Sequence, residues 1–196
     1  MVPGHNDQRE LALRAARAAA AVVSSRWGSV AGVAVEQKSI GDYVTDVDRA
    51  AERAALEVLR AGSDAPVLAE ESGGERRDHG WVVDPVDGTT NLLRGFPIVG
   101  VSVALLEAGE PVAGAICAPL LQEEWSAARR LGAHDRLGRR LQVSEHPGAG
   151  VVATGFPFRR KQRLTTYQPV LERALAEFED LRRAGAASLD LAYTAQ

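Results

Sequence analysis

The sequence predicts an α+β fold in which helices and strands pack in layers. Amphipathic helical patterns dominate the first third of the chain, short apolar runs separated by glycine and proline follow, and another helical pattern lies near the C-terminus. A chain of 196 residues with 45% hydrophobic residues can fill one sizeable core. Because no repeat, low-complexity linker or composition break is visible, we expect a single domain over residues 1–196.

Two helices are predicted in the N-terminal third. Over residues 7–26, leucine, valine and alanine recur at helical spacing among arginines, and Asn6 or Asp7 is the candidate N-cap. A second helix is predicted over residues 46–60, with Gly62 as the residue that stops it.

Short strands are predicted around and after these helices. We expect β-like pieces near Lys38 and Asp42, strands at 66–69, 81–84, 98–106, 111–118, 123–128 and 151–154, and a helix at 166–182. The consecutive apolar runs at 98–106, 111–118 and 123–128 suggest an antiparallel meander. Pro85 has no N–H for a ladder, so the strand before it should stop near Asp84. The arginine-rich segments 129–140 and 159–163 are expected to be solvated loops, with phosphate steering as the alternative.

Charge and cysteine content exclude several classes of function. A formal net charge of −3 and a pI near 5.8 give no overall attraction to nucleic acid or anionic membranes, so we expect neither as a partner. Cys117 is the only cysteine, and its apolar neighbours predict a buried thiol in a reducing compartment, the cytoplasm. We expect no signal peptide or anchor, because the uncharged run at 18–25 is far shorter than the roughly 20 residues of a membrane span. The four histidines lack the paired spacing of a zinc site.

The segment DPVDGTTN at residues 84–91 is the strongest candidate for a site. Its two carboxylates, Asp84 and Asp87, flank a predicted tight turn, and the glycine that follows lets the backbone approach a ligand. The backbone N–H groups available there belong to Gly88, Thr89 and Thr90. Carboxylates suit Mg²⁺ and clustered N–H groups suit a phosphate. The alternative is an acidic surface turn, which the same residue types favour.

Other acidic residues lie near predicted strand ends or helix starts. They are Asp42, Asp46, Asp48, Glu70 and Glu71. If these segments converge with Asp84 and Asp87, divalent cations would relieve the mutual repulsion of the carboxylates. Two metals about 3.5–4 Å apart can then clamp a phosphate and orient an attacking water. On chemistry alone, scattered surface acids are an equally good interpretation.

Several motifs together resemble the inositol monophosphatase family of Mg²⁺-dependent, lithium-sensitive phosphatases. They are KSIGDYVTDVD at 38–48, AEES at 69–72, WVVDPVDGTTN at 81–91, GFP at 95–97, CAP at 117–119, VVATGFPF at 151–158 and AGAASLDLAY at 184–193. The motifs at 38–48, 69–72 and 81–91 have the right order and spacing, which is far more specific than a single match. The resemblance covers almost the whole chain and implies an αβαβα layered sandwich and a homodimer.

The resemblance also implies roles for individual residues. Glu70, Asp84 and Asp87 would be ligands of the two or three Mg²⁺ ions of the complete enzyme, with the backbone carbonyl of Val86. Thr89 would bind the attacking water and donate to Asp48, so these two residues and Glu70 form the catalytic set.

Substrate contacts follow from the same resemblance. Gly88, Thr89 and Thr90 would hold the phosphate, and Asp87 with Gly185, Ala186 and Ala187 would face the rest of the substrate. Lys38 would lie near the site, at the water of a third metal.

The activity that the resemblance implies is Mg²⁺-dependent hydrolysis of a small-molecule phosphate monoester, with inositol monophosphate as the default substrate. Alternatives are histidinol phosphate, fructose 1,6-bisphosphate and adenosine 3′,5′-bisphosphate, because the motifs bind phosphate and metal rather than the leaving group. From a different class, the chain would be a non-catalytic remnant that binds metal or phosphate.

Three departures from the family pattern are visible. Leu92 stands where an aromatic residue is usual, and Ala186 stands where serine or threonine is common. Family members also continue past Gln196 to a substrate-binding acidic residue and a Trp-Asp motif, so we expect that the C-terminal portion is missing and that the second metal lacks a ligand.

Overall fold

The computed structural model describes residues 4–28, 35–39, 42–75, 77–143, 150–156 and 161–196, with the backbone alone for 35–39, 42–44 and 161. The helices are α1 (His5–Arg26), α2 (Asp46–Gly62), α3 (Thr89–Leu93), α4 (Leu164–Glu177) and α5 (Ala187–Ala195), with a 3₁₀ turn at Lys161–Arg163. The strands are β1 (Val35–Ser39), β2 (Asp42–Thr45), β3 (Val67–Ala69), β4 (Gly80–Asp87), β5 (Gly100–Glu107), β6 (Glu110–Ala118), β7 (Glu123–Ala128), β8 (Gly132–Asp135), β9 (Val151–Ala153) and β10 (Asp180–Arg182).

The first helix begins earlier than the sequence predicts. Its N-cap is Gly4, so the expectation of Asn6 or Asp7 in that position was wrong. Asp7 instead occupies the third helical position, where its carboxylate accepts a hydrogen bond from the Gly4 N–H at 3.2 Å. Asp7 therefore stabilises the start of the helix from within its first turn, by accepting a hydrogen bond from the backbone of the N-cap residue.

The second helix carries the side chains that later define the site. Thr45 caps it, because its hydroxyl accepts from the Val47 N–H at 3.1 Å. The helix ends at Gly62, two residues beyond the predicted range, and Ser63 is its C-cap. Alanines on α1 and α2 allow the two helices to pack closely together over one face of a large sheet.

The large sheet has six strands in the order β3-β4-β5-β6-β7-β8. Strands β4 to β8 form an antiparallel meander, which confirms the prediction for β5, β6 and β7. β8 lies inside the segment expected to be a solvated loop, and that expectation was wrong there. Its Asp135 is buried and accepts from the Arg139 guanidinium, so one of the arginines serves to satisfy a buried carboxylate.

The strand that leads to the candidate site passes through proline. β4 continues from Asp84 to Asp87, whereas the sequence predicts a stop at Asp84. The ladder with β5 shifts register between these two residues, and Pro85 lies in that irregularity. A residue displaced from the ladder needs no N–H donor, so proline is tolerated and the strand resumes.

A second apolar cluster covers the opposite face of the sheet. Leu189 and Ala192 of α5 pack there with Trp125 of β7. In a separate two-stranded sheet, β9 and β10 form a parallel pair, and α4 contacts β10. The predicted helix over 166–182 is shorter in the structure, because the chain leaves the helix at Phe178 and forms β10.

These layers confirm the α+β class that the sequence predicts. The buried thiol of Cys117 is also confirmed, and burial raises its pKa to about 12. Among the described helices, none combines the length and the apolar character needed to cross a bilayer.

We expect Leu59→Ala to destabilise the fold by about 2–5 kcal/mol, because this α2 side chain is completely buried between the helices and the sheet. Urea denaturation measures the free energy of unfolding. Leu175→Ala, the same change at a side chain of α4 that is 67% exposed, should stay within about 0.5 kcal/mol of the parent. Equal effects of the two changes would contradict the assignment of the core.

Candidate active site

The parallel pairing of β3 and β4 brings two acidic residues to the same edge of the sheet. Ala69 and Val83 are partners in the ladder, and Glu70 and Asp84 follow them directly. The Glu70 N–H donates to the Val83 carbonyl at 3.1 Å, which continues the pairing one step further. Glu70 and Asp84 therefore lie side by side, as the sequence hypothesis of convergence requires.

Asp84 is strongly affected by its neighbours. Burial raises the pKa of its carboxyl first, and the nearby Glu70 and Asp87 raise it further, to about 8. The Val86 N–H donates to Asp84 Oδ1 at 3.1 Å and opposes this shift. Without a cation, this corner of the sheet favours a protonated Asp84.

Asp87 is tied to a different element. Its Oδ2 accepts from both the N–H and the hydroxyl of Ser188, each at 2.6 Å. Ser188 lies in the first turn of α5, so the carboxylate also benefits from the positive end of that helix. The pKa of the nearby Asp190 is raised by its burial and by the charge of Asp87.

The predicted metal ligands are close neighbours but do not form a finished cage. Glu70 and Asp84 interact directly, whereas Asp87 points one oxygen at α5. Within the part of the chain that the structure describes, no three histidine, cysteine, aspartate or glutamate side chains converge closely enough to hold a metal ion. The carbonyl oxygen of Val86 lies on the same segment, 3.1 Å from the Thr89 hydroxyl oxygen, and is a second acceptor within reach of its single hydrogen.

Gly88 produces the turn from β4 into α3. Its φ of +100° belongs to the left-handed region, and a Cβ there would lie 2.9 Å from the Ile98 carbonyl oxygen. It is the N-cap of α3, where the first N–H groups of a helix have no intrahelical acceptor. Thr89 and Thr90 begin that helix, so the residues predicted to bind phosphate do present their N–H groups together.

Asp48 and Thr89 form the contact predicted for the catalytic pair. The Thr89 hydroxyl donates to Asp48 Oδ1 at 3.0 Å. The other oxygen, Oδ2, accepts from the Thr45 N–H at 2.9 Å and from the Thr45 hydroxyl. Asp48 is only 1% exposed, and burial raises its pKa against the opposing effect of these hydrogen bonds.

The predicted substrate segment lies against the same turn. Gly88 is adjacent to Ala186, since a Cβ on the glycine would be 3.5 Å from the alanine methyl. Asn91 fixes this arrangement, because its side-chain amide donates to the carbonyls of Ile98 at 2.7 Å and Ala184 at 2.9 Å. The left-handed Gly185 follows, then the buried Ala186 and the exposed Ala187 at the start of α5.

One predicted residue lies outside the description, since the side chain of Lys38 is not among the described ones. Two residues that contact the candidate site were not predicted from the sequence. Glu52 is buried on α2, one turn after Asp48, and Ser188 holds Asp87. The four-residue spacing from Asp48 to Glu52 was the available signal for a shared helix face, whereas no pattern links Ser188 to Asp87.

Comparison with known proteins identifies the family of the chain. Residues 6–196 match the model of the inositol monophosphatase family. The Nus factor SuhB of Pseudomonas aeruginosa is 40% identical over an alignment of 195 positions, and the match covers 94% of this chain and 72% of that protein. The Nus factor SuhB of Escherichia coli K12 is 37% identical over an alignment of 191 positions, and the match covers 94% of this chain and 71% of that protein.

Solved structures show the same fold. The extragenic suppressor protein suhB of Bartonella henselae superposes with a TM-score of 0.87 at 38% identity, over 94% of this chain and 73% of that one. An IMPase of Thermotoga maritima gives a TM-score of 0.81 at 30% identity, over 96% of this chain and 72% of the other. The chain belongs to the inositol monophosphatase family.

Proposed function

We propose that this protein catalyses Mg²⁺-dependent hydrolysis of a small-molecule phosphate monoester, with inositol monophosphate as the first substrate to test. The observation that carries the proposal is the hydrogen bond of 3.0 Å that the Thr89 hydroxyl donates to the buried Asp48. Thr89 lies on the same segment as Asp84, Asp87 and Gly88. A hydroxyl oriented by a carboxylate, beside clustered acids and backbone N–H groups, suits the delivery of water to a phosphate.

The residues present fit Mg²⁺. The carboxylates of Glu70, Asp84 and Asp87 and the carbonyl of Val86 are all oxygen donors, which is the chemistry a hard cation prefers. The charges that act on Asp84 are like charges from Glu70 and Asp87, and a divalent cation would relieve them. When bound, Mg²⁺ supplies the positive charge that offsets these carboxylates and the charge developing on the phosphoryl oxygens.

Thr89 and Asp48 would orient the nucleophile. With its hydrogen directed at Asp48 Oδ1, the Thr89 hydroxyl offers lone pairs to an attacking water. Burial makes Asp48 a better proton acceptor than an exposed aspartate, because it raises the carboxylate's pKa. The proton of the water would pass to the Thr89 oxygen as the Thr89 hydrogen moves to Asp48.

The N–H groups at the start of α3 would hold the phosphate during attack. Gly88, Thr89 and Thr90 supply them, and negative charge that grows on the equatorial oxygens would be met without rearrangement of the backbone. The leaving group would face the segment around Ala187, next to the Asp87 carboxylate. Ala186 offers no hydroxyl there, so we place histidinol phosphate, fructose 1,6-bisphosphate and adenosine 3′,5′-bisphosphate as alternative substrates.

The wider description of the protein is also a proposal. We infer a homodimer of single-domain chains in the cytoplasm that requires two or three Mg²⁺ ions, is inhibited by lithium and interacts with neither nucleic acid nor membrane. The resemblance of the motifs and the net charge of −3 support these points.

A second candidate function follows from the relatives named Nus factors. Identity of 40% over 94% of the chain to the Pseudomonas aeruginosa Nus factor SuhB favours a comparable role here. Given the acidic net charge, we infer that such a role would use a protein contact rather than direct attraction to nucleic acid.

Asp87→Asn should abolish hydrolysis and preserve the fold. Asparagine keeps an oxygen that can accept from Ser188 but loses the charge at the metal. Loss of a residue that only hydrogen-bonds to a metal ligand typically lowers metal affinity or activity by about 10–100-fold. For the loss of a ligand itself, we expect Mg²⁺-dependent phosphate release from inositol 1-phosphate to fall at least about 100-fold.

The control for Asp87→Asn is Asp64→Asn, which neutralises an exposed aspartate beyond α2 and should retain activity and lithium inhibition. Full activity of the Asp87→Asn variant would contradict the proposed site. The same variant separates the two candidate functions: if it replaces SuhB in a Pseudomonas aeruginosa strain that lacks it, the Nus role does not depend on hydrolysis.

Asp84 should make the metal-free protein less stable as pH rises. Its carboxyl keeps a proton up to a pKa of about 8 in the folded state and loses it near the ordinary value of 3.8 when unfolded, so the stabilising contribution of the protonated form declines between these values. In EDTA, the free energy of unfolding of Asp84→Asn relative to that of the parent should therefore rise by at least about 1 kcal/mol between about pH 5 and pH 9. This corresponds to roughly 2–4 °C in Tm.

Added Mg²⁺ should reverse that order, because it stabilises the parent and not the Asp84→Asn variant. Asp64→Asn should follow the parent under both conditions, since this side chain is exposed. Parallel pH profiles for the parent and Asp84→Asn in EDTA would show that the carboxylates of Glu70, Asp84 and Asp87 do not interact as described.

A further inference from the structure

The buried face of α2 carries two carboxylates that reach in different directions. Asp48 contacts Thr45 and Thr89, as described above. Glu52 lies one helical turn later and contacts the turn that follows β3. One helix face thus touches both segments that carry the candidate site, but the proposed reaction uses only the first contact.

Glu52 forms two hydrogen bonds with the backbone of that turn. Its Oε2 accepts from the Glu71 N–H at 2.7 Å, and its Oε1 accepts from the Ser72 N–H at 3.0 Å. The residue is only 4% exposed. Charge-assisted hydrogen bonds to backbone N–H groups are short and directional, so they fix the turn relative to α2.

The other sides of the turn are held by the sheet. Ala69 and Gly73 exchange two backbone hydrogen bonds of 3.0 Å each, and the Glu70 N–H donates to Val83 at 3.1 Å. Glu70 itself is an exposed residue, so its direction depends on its backbone more than on packing. The Glu52 bonds to residues 71 and 72 complete the restraint on the peptide that presents Glu70 to Asp84.

We propose that Glu52 is a positioning residue, which holds Glu70 beside Asp84 and so sets the affinity of the site for Mg²⁺. This inference rests on the proposed function, because it takes Glu70 as a metal ligand. We assign Glu52 no direct role at the metal, because its described contacts are with the backbone N–H groups of residues 71 and 72. It acts on the site through the turn alone.

A carboxylate is required in this position. Glutamine has one acceptor oxygen, and its NH₂ group would face one of the two N–H donors instead of accepting from it. Glu52→Gln therefore keeps the volume of the side chain and removes one of the two anchors. Glu57→Gln makes the same change on the exposed side of the same helix and is the matched control.

Calorimetric titration with Mg²⁺ alone is the primary test. We expect Glu52→Gln to weaken Mg²⁺ binding by about 10–100-fold, as is usual for loss of an outer-shell partner, while Glu57→Gln binds like the parent. Hydrogen exchange at the amides of Glu71 and Ser72 should become faster in Glu52→Gln only. In the phosphatase assay, the Mg²⁺ concentration for half-maximal rate should rise more than kcat at saturating Mg²⁺ falls.

A double variant distinguishes positioning from general loosening of the fold. If Glu52 acts through Glu70, adding Glu52→Gln to Glu70→Gln should weaken Mg²⁺ binding no further than Glu70→Gln alone. Additive losses would overturn the proposal, as would parental Mg²⁺ affinity in Glu52→Gln despite faster exchange at Glu71 and Ser72.

Three further outcomes can be distinguished. Should Glu52→Gln fail to fold, Glu52→Asp retains both oxygens on a shorter arm and should bind Mg²⁺ with intermediate affinity; parental affinity there would overturn the proposal. A parent protein that binds Mg²⁺ without hydrolysing phosphate esters would overturn the proposed function and leave this inference standing. A parent that binds no Mg²⁺ would overturn both.

Discussion

The parallel pairing of β3 with β4 is the constraint on which the rest of the site depends. In this parallel register Ala69 pairs with Val83, so the residues that follow them, Glu70 and Asp84, lie next to each other. The other strand pairs of the six-stranded sheet are antiparallel. Burial and the adjacent charge of Glu70 together raise the pKa of Asp84.

The second helix turns that pair of acids into an organised site. Its buried face presents Asp48 to the Thr89 hydroxyl and Glu52 to the turn after Glu70. Two buried carboxylates on an otherwise apolar face are costly unless they are hydrogen-bonded, and both are. Placing them at positions four residues apart lets one rigid element align two loops that are distant in the sequence.

Local chemistry in the sequence pointed to the centre of the candidate site but not to its supports. Gly88 and the acids around it are contiguous, so a metal and phosphate site could be hypothesised there from residue types alone. Glu52 could not be found this way, because its partners are backbone N–H groups about twenty residues away and its position is typical of any helix glutamate. Ser188 was hidden for the same reason, since its contact with Asp87 spans 101 residues.

The errors in the predicted fold have similar causes. A proline was taken to end a strand, yet the register shift at Pro85 removes the need for its N–H. Arginine-rich composition concealed β8, where pairing with β7 decides the conformation. The short β10 was assigned to the preceding helix, because three residues give too little periodicity to separate the two.

The central claim is that β3, β4 and α2 together hold a divalent cation among Glu70, Asp84, Val86 and Asp87. Anomalous scattering from crystals grown with Mn²⁺ in place of Mg²⁺ tests this claim most directly. The account predicts manganese peaks whose ligands include oxygens of the three carboxylates and of the Val86 carbonyl, at about 2.0–2.2 Å. Ordered Mn²⁺ elsewhere on the molecule, with these four oxygens uncoordinated, would contradict it.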